Sequence, residues 1–440
     1  MQECQLRGVV MTKDDLVVQR GLAVLAPPSH HYYPIAISRG QGATIFSEGG
    51  RRLLDFSSGL AVLNIGHSHP RVLDAVRKQL ESFVHTGGVY YSETTIAAAE
   101  ELLSVTPPGL DMLFFGNSGA EAVEGALKLA RYTSGRQAII SCAGAFHGRT
   151  LGAVSVTTSS SAYRRSYHPL LPSVYQVSYP ACFVCPYGLA PDACGIRCLE
   201  DFTRLFERQV SPDEVCAIII EPFLGEGGYY PAPKNYLQGL RAICDQYGIL
   251  LIFDEVQSGV GRTGKWFCCE YAEVVPDVLT VAKAVASGFP LSAVIASREV
   301  MKKWDHSAHG TTFGGNPVSC AAAMATLQVI REEALLEASL SAGSRLLSFL
   351  QDLASQNPRI GQVRGMGCMI GVEFVDAAGD ADGRLCTDLI DECLAKGLII
   401  IGCGLKRNVA RIIPPLNVSS SELEEALEIF TAALAELSLR

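Results

Sequence analysis

The chain has 440 residues, of which 48% are hydrophobic and 18% charged. This balance is typical of a globular protein and excludes a disordered or low-complexity chain, and the length predicts two domains or one large domain with a smaller one. The formal net charge of −9, without any Lys/Arg-rich run, argues against nucleic acid or an anionic membrane surface as a partner.

The N-terminal segment does not have the uninterrupted apolar core that a secretory signal peptide needs, because Lys13, Asp14 and Asp15 interrupt it. No run of about 18 apolar residues, the length of a membrane-spanning helix, occurs in the sequence. We therefore expect a cytoplasmic protein without a transmembrane helix.

The first segment with a chemical signal is an apolar strand over Met112 to Phe115, followed by a turn over Asn117 to Ala120 and then a helix. Such a turn leaves free backbone N–H groups at the start of the helix, where an anion can bind. The alternative is an ordinary strand–helix turn in which Ser118 only caps the helix.

The next segment places Phe146, His147 and Arg149 around a glycine. An aromatic ring could stack on a planar ligand, and the arginine could pair with a carboxylate. A buried phenylalanine and a surface arginine explain the segment equally well.

Fifteen cysteines are present, and without a secretory signal we expect free thiols. Four of them have spacings that could hold zinc, namely Cys182, Cys185, Cys194 and Cys198. The alternative is a cysteine-rich surface loop with reduced thiols. We predict no bound metal and keep these four residues as the candidate ligands.

The middle of the chain alternates apolar strands with helices, which predicts a parallel sheet covered on both faces. The predicted strands cover Ala217–Ile220, Ile249–Phe253 and residues 278–282, and a helix covers Tyr236–Tyr247. Ligands bind beyond the carboxyl ends of such strands, where Asp254 and Lys283 stand. A partly desolvated Lys283 would be a nucleophilic amine. The alternative for Lys283 is a solvent-exposed surface lysine, and the alternative for Asp254 is a residue that only caps a helix.

The C-terminal third predicts a smaller α/β domain that the N-terminal segment joins. Its predicted elements are helices over 322–356, Thr387–Lys396 and Ser420–Leu434, and strands over Gly397–Ile401 and over Val363–Glu373, the latter interrupted by Gly365, Gly367 and Gly371. We predict a large domain over 71–335 and a small domain built from 1–70 and 336–440.

The motifs together resemble one family. Gln257 lies three positions after Asp254, Lys283 lies 29 after Asp254, and Thr312 lies a further 29 along. With Pro34, the Gly66–Pro70 segment and the Arg411–Pro415 segment, this order resembles the class III, pyridoxal-phosphate-dependent aminotransferases of fold type I. Within that class the chain is most similar to the 4-aminobutyrate (ω-amino acid) aminotransferases.

The resemblance implies a site for pyridoxal 5'-phosphate. Lys283 would bind the cofactor as a Schiff base and carry the proton, and Asp254 would keep the pyridine nitrogen protonated. The other implied cofactor residues are Val256 and Phe146 on the two ring faces, Gln257 at the phenolic oxygen, Ser118, Gly119 and Ala120 at the phosphate, and His147 and Glu221 nearby. Thr312 would reach the phosphate of the neighbouring subunit, which implies a homodimer with shared active sites.

The resemblance also implies how substrates bind. Arg149 would hold the distal carboxylate, and Arg411 the α-carboxylate of glutamate or 2-oxoglutarate. Glu226 would pair with Arg411 when no α-carboxylate is present, because an unpaired desolvated arginine is costly. Leu60 stands where ornithine aminotransferases have a tyrosine, which argues against ornithine as substrate.

The implied activity is a ping-pong transamination from an ω-amino acid, first of all 4-aminobutyrate, to 2-oxoglutarate. Three departures from the family pattern affect the local backbone and the substrate: Phe223-Leu224, Ala120 in place of a frequent serine, and the single Gly288 after the lysine. The alternatives are an amino-acid racemase or epimerase of the same fold, an acetylornithine- or diamine-type aminotransferase, and a zinc-binding or structural protein built around the four cysteines.

Overall fold

The computed structural model describes residues 11–28, 31–190 and 193–438. The α-helices are α1 (Lys13–Val24), α2 (Ser58–Ala61), α3 (Pro70–Ser82), α4 (Glu93–Leu103), α5 (Gly119–Ser134), α6 (Leu151–Val156), α7 (Glu200–Arg208), α8 (Lys234–Tyr247), α9 (Arg298–Met301), α10 (Pro317–Glu332), α11 (Leu335–Gln356), α12 (Gly383–Ala395) and α13 (Ser420–Ser438). The strands are β1 (Ile37–Gln41), β2 (Thr44–Ser47), β3 (Arg52–Asp55), β4 (Met112–Gly116), β5 (Ala138–Cys142), β6 (Val174–Val177), β7 (Val215–Ile220), β8 (Phe223–Leu224), β9 (Tyr230–Pro231), β10 (Leu250–Asp254), β11 (Val278–Val281), β12 (Ser292–Ala296), β13 (Ile360–Met366), β14 (Met369–Phe374), β15 (Leu398–Ile399), β16 (Ile401–Cys403) and β17 (Val409–Ile412).

A seven-stranded sheet forms the largest layer, with the strand order β4-β12-β11-β10-β7-β5-β6. Its strands are apolar because both faces are covered, and β7, β11 and β12 are buried at every residue. Strand β12 runs antiparallel to both of its neighbours, β11 and β4. The other pairs are parallel, so the predicted mainly parallel α/β sheet is confirmed.

The C-terminal third forms a second sheet with the order β13-β14-β17-β16. Its apolar core is shared with the helices α11, α12 and α13, through residues such as Leu350, Leu389 and Phe430. A third sheet joins the N-terminal strands to this region, because β3 pairs in parallel with β15. The domain boundaries at residues 70 and 335 stay a prediction.

The single strand expected over Val363–Glu373 is wrong. The segment is a hairpin in which β13 and β14 pair antiparallel, with Met366 opposite Met369. Gly367 adopts a left-handed backbone (φ +52°) and reverses the chain between them. Three glycines interrupt this segment in the sequence, but the turn itself takes up only Gly367 and Cys368.

The strand expected over Gly397–Ile401 is also wrong as one unit. Leu398 and Ile399 pair with β3, whereas β16 begins at Ile401 and pairs with β17. The helix expected over 322–356 is likewise two helices, α10 and α11, which meet where Ala334 is left-handed.

Among the described residues, no helix is both long and apolar enough to cross a membrane.

Candidate active site

Three neighbouring strands of the large sheet end in side chains that can ionise. Strands β7, β10 and β11 lie side by side, and Glu221, Asp254 and Lys283 stand at or just beyond their carboxyl ends. Lys283 begins a short 3-10 turn with a left-handed backbone (φ +49°). Burial lowers the pKa of its ammonium to about 8, although the carboxylates of Asp254 and Glu221 act in the opposite direction. The strand ends therefore combine an amine that can become neutral near physiological pH with two buried carboxyl groups.

The Asp254 carboxylate is fixed on several sides. Its side chain is only 5% exposed. Oδ2 lies 2.7 Å from Nδ1 of His147, and Oδ1 accepts hydrogen bonds from the Val256 N–H (3.1 Å) and the Thr280 hydroxyl (3.2 Å). Nε2 of His147 is buried and has no hydrogen-bond partner in the structure. The carboxylate consequently has a defined orientation, and His147 fixes it from within the fold.

Glu221 connects two loops of the site. Its Oε1 accepts from the Phe146 N–H and its Oε2 from the Gly225 N–H, both at 2.9 Å. Burial raises the pKa of this carboxyl to about 7. Because both oxygens bind backbone groups, Glu221 positions the segment with Phe146 and Arg149 relative to the segment with Glu226.

The start of α5 has the geometry expected of an anion site. Ser118 caps the helix, since its hydroxyl accepts from the Glu121 N–H at 3.2 Å, and the first N–H groups of a helix have no partner within it. Gly119 is required by close packing, because a Cβ there would lie 2.9 Å from Cγ1 of Val256. The cap and the anion site, alternatives in the sequence, are therefore compatible at this turn.

Gln257 follows Val256 and faces the loop after β8. Its side-chain oxygen accepts a 2.6 Å hydrogen bond from the Tyr229 hydroxyl. Phe146 is half-buried and meets the edge of the Tyr163 ring, with centroids 5.5 Å apart. Val256 and Phe146 thus come from two different loops beside the strand ends.

Arg411 lies on β17, the strand that the sequence did not predict, and is almost fully buried. Its Nη1 is 3.1 Å from Oε2 of Glu226, and Nη2 donates to the Gly402 carbonyl at 2.9 Å. Burial alone would lower the pKa of this guanidinium, but Glu226 and the neighbouring Cys403 outweigh it and hold the pKa above its ordinary value. The arginine is therefore a permanent cation whose counter-charge is Glu226.

Arg149 lies at the other side of this group and is exposed. Its guanidinium stands 4.5 Å from the ring centre of Tyr163 and 5.8 Å from that of Phe146. Leu60 is 45% exposed and has a left-handed backbone (φ +69°). Arg149, Glu226 and Arg411 form a row that Tyr163 bridges.

Two predicted groups lie apart from this arrangement. Thr312 is exposed, and its carbonyl lies beside Gly87 rather than in contact with Lys283. The cysteines Cys182, Cys185, Cys194 and Cys198 are free thiols in two short 3-10 turns and their flanks. Within the described ranges, no group of three His, Cys, Asp or Glu side chains is placed to hold a metal ion.

Sequence reasoning missed Tyr163, Tyr229 and Thr280. Thr280 lies on β11 in register with Asp254 at the end of β10, and paired residues of neighbouring strands place their side chains on the same face of the sheet, so the two predicted strands could have indicated this contact. Tyr163 and Tyr229 lie in short segments without periodicity, and nothing in their neighbours indicates that Tyr163 meets Glu226 and Tyr229 meets Gln257.

The sequence and the structure of the chain were compared with those of known proteins. The family model described as aminotransferase class-III matches residues 25–434. The chain is 38% identical to the 5-aminovalerate aminotransferase DavT of Pseudomonas aeruginosa over 413 residues, which cover 92% of this chain and 95% of that protein. It is 36% identical to the 4-aminobutyrate aminotransferase GabT of Escherichia coli over 432 residues, covering 97% and 99%. The crystal structure of an (S)-enantioselective omega-transaminase from Thermomicrobium roseum superposes with a TM-score of 0.90 at 31% identity, covering 98% of this chain and all of that one.

Proposed function

Because this chain belongs to the class III aminotransferases, we propose that it transfers the amino group of an ω-amino acid, with 4-aminobutyrate as the expected donor, to 2-oxoglutarate. The products would be a semialdehyde and glutamate, formed in two half-reactions of a ping-pong cycle. The protein is a pyridoxal-phosphate-dependent aminotransferase of fold type I, as its family, relatives and structural neighbours indicate.

The residues at the strand ends fit this cofactor. A Cβ on Gly119 would collide with Val256, so the turn before α5 has room for a close anion but not for a side chain. The amine of Lys283 and the carboxylate of Asp254, which His147 holds from within the fold, are the polar groups that a planar ligand beside the strand ends would meet. When bound, pyridoxal phosphate supplies an aldehyde that condenses with amines and a ring that accepts electrons.

The chain's own groups would hold and move protons around that ring. Asp254, oriented by His147 and Thr280, would keep a proton on the pyridine nitrogen, since a buried carboxylate favours a cation beside it. Lys283, whose pKa is lowered to about 8, would take the proton from the substrate carbon and return it. Gln257 would hydrogen-bond the phenolic oxygen while Tyr229 holds the other end of its amide.

The observation that carries the substrate proposal is the ion pair between Arg411 and Glu226. An arginine that has its own carboxylate can accept a substrate with no charge at that end, and it can bind a second carboxylate once Glu226 leaves. Arg149 remains for the distal carboxylate that both substrate classes share. This supports a donor with one carboxylate and an acceptor with two, and Leu60 offers no hydrogen bond to the α-carboxylate of ornithine.

A donor panel tests the proposal. The holoenzyme is incubated with 2-oxoglutarate and each of 4-aminobutyrate, 5-aminovalerate, N-acetylornithine and L-alanine, and glutamate is measured. We expect the ω-amino acids to give the highest kcat/KM. Chiral analysis of recovered alanine is the control, because scrambling of enantiomers without net transfer would show a racemase instead. Glutamate from N-acetylornithine alone would also contradict the proposal.

A further inference from the structure

Tyr163 connects the two arginines of the site. It lies at the end of a 3-10 turn over Ser161–Tyr163 and is half-buried. Its hydroxyl donates to Oε1 of Glu226 at 3.3 Å, while the other oxygen of Glu226 pairs with Arg411 at 3.1 Å. The face of its ring covers the guanidinium of Arg149 at 4.5 Å.

We propose that Tyr163 is a positioning residue that holds Glu226 on Arg411 and so sets the preference of the site between one-carboxylate and two-carboxylate substrates. The proposal rests on the proposed function, because it concerns the same pair of anchors. Nothing in the sequence pattern assigns a role to this tyrosine. Its contacts indicate one, because the hydroxyl binds Glu226 and the ring packs on Arg149.

The hydroxyl is a dependable donor. Burial raises the pKa of the Tyr163 phenol, and the charge of Glu226 raises it further. The group therefore keeps its proton across the neutral range, and a carboxylate is its natural acceptor. The hydrogen bond from Tyr163 therefore stabilises the state in which Glu226 is paired with Arg411.

A substrate α-carboxylate must displace Glu226 from Arg411. Any contact that stabilises the ion pair between Glu226 and Arg411 therefore weakens the binding of a two-carboxylate substrate. The same contact favours a substrate that has no carboxylate at the Arg411 end. Removing the Tyr163 hydroxyl should therefore strengthen the binding of a two-carboxylate substrate and weaken the binding of a one-carboxylate substrate. General damage to the site would weaken both.

Tyr163→Phe tests this inference because it removes the hydroxyl and keeps the ring over Arg149. We expect KM for 2-oxoglutarate to fall about threefold to tenfold, the range for one ordinary hydrogen bond, and KM for the ω-amino acid donor to rise. An increase in both KM values, no change in either, or a higher KM for 2-oxoglutarate alone would overturn the proposal.

Two further variants separate the ring from the hydroxyl. Tyr163→Leu lacks the hydroxyl as well and also removes the ring from Arg149, so both substrate classes should bind more weakly to it than to Tyr163→Phe, since both carry the distal carboxylate. Tyr167→Phe is the matched control, because Tyr167 is exposed on the same segment and should leave both KM values unchanged. An effect of Tyr167→Phe equal to that of Tyr163→Phe would contradict the assignment.

Binding without turnover separates this inference from the proposed function. Calorimetry of the holoenzyme with glutarate, which has two carboxylates, and pentanoate, which has one, needs no reaction. In Tyr163→Phe we expect glutarate to bind about threefold to tenfold more tightly and pentanoate no more tightly than in the unchanged protein. If the donor panel fails and this split is found, the function is wrong and the role of Tyr163 stands. If the panel succeeds without the split, the role of Tyr163 is wrong.

Discussion

Lys283 owes its chemistry to where its strand ends. The side chain follows an apolar strand into a buried site where an ammonium is poorly solvated, and this burial lowers its pKa to about 8. Asp254 and Glu221 offset part of this cost without cancelling it. The amine is thus prepared to lose its proton at a pH where an ordinary lysine stays charged.

The lowered pKa of Lys283 makes a prediction about the cofactor-free protein. Below about pH 8 the buried ammonium destabilises the fold, and between about pH 8 and 10.5 the folded state has lost the proton that the unfolded chain still binds. The free energy of unfolding should therefore rise over this range. Lys283→Met should therefore be more stable than the unchanged protein at pH 7, by at most about 3 kcal/mol. This difference in the free energy of unfolding should shrink towards pH 10.5.

Urea unfolding of the cofactor-free protein at several pH values measures this difference. Lys302→Met is the control, because Lys302 is exposed and its removal should leave the difference near zero throughout. A constant gap between Lys283→Met and the unchanged protein would mean that the amine is solvated in the folded state.

The sequence allowed Asp254 and Lys283 to be placed because a strand end is a local feature. The contacts that define their chemistry are not local. His147 reaches Asp254 across 107 positions, and Tyr229 reaches Gln257 across 28. Such pairings depend on how the loops cross above the sheet, which neither composition nor periodicity records.

At the scale of elements, apolar strands of the large sheet could be located from sequence because burial on both faces makes them continuous. The smaller sheet could not be located in full, because β13 and β14 are joined by a tight turn and β16 is only three residues long. Strand β17, which carries Arg411, is only four residues long. The sequence favours one strand over β13 and β14 because only Gly367 and Cys368 separate them.

The turn at Gly367 gives a prediction about the hairpin. A Cβ at this position would lie 2.5 Å from the backbone carbon of Thr263 and 2.6 Å from the hydroxyl of Ser339. Gly367→Ala therefore adds a collision to the strain of a left-handed alanine, and we expect a loss of about 3 kcal/mol or more in the free energy of unfolding.

Gly379→Ala is the matched control for this turn. Gly379 is also left-handed (φ +86°), but its Cβ would meet nothing within 4 Å. Only the backbone strain applies there, so urea unfolding should show a loss of about 1 kcal/mol. Equal losses for the two variants would mean that the hairpin turn can move away from Thr263.

At the scale of the whole molecule, Arg262 joins three parts of the chain. It is fully buried, and it donates to the carbonyls of Cys368 (3.1 Å) and Pro414 (2.5 Å) and to the side-chain oxygen of Asn64. The described residues give it no carboxylate partner, so oxygen dipoles alone solvate the guanidinium. The N-terminal segment, the β13–β14 turn and the segment after β17 are therefore fixed to the loop that follows Gln257.

Exposed aromatic side chains lie on the two segments that meet at Gly87 and Thr312. Tyr90 and Tyr91 are 74% and 97% exposed, and Phe313 is 62% exposed with its ring 5.4 Å from that of His85. A patch of this kind is typical of a protein–protein contact. It supports the proposal that a second copy of the chain covers this surface and receives Thr312 into its site.

Hybrid dimers test that proposal. Lys283→Ala lacks the reactive amine, and Thr312→Glu places a negative charge where the phosphate would bind, so each variant alone should be inactive or nearly so. If Thr312 acts in the neighbouring site, a mixed dimer contains one intact site, formed by Lys283 of one subunit and Thr312 of the other. Unfolding and refolding an equimolar mixture should then restore about a quarter of the unchanged activity, as random pairing of two subunit types requires. The refolded single variants are the controls. If Thr312 served the site of its own subunit, every site of the mixture would carry a defect and the activity would stay at the level of the separate variants.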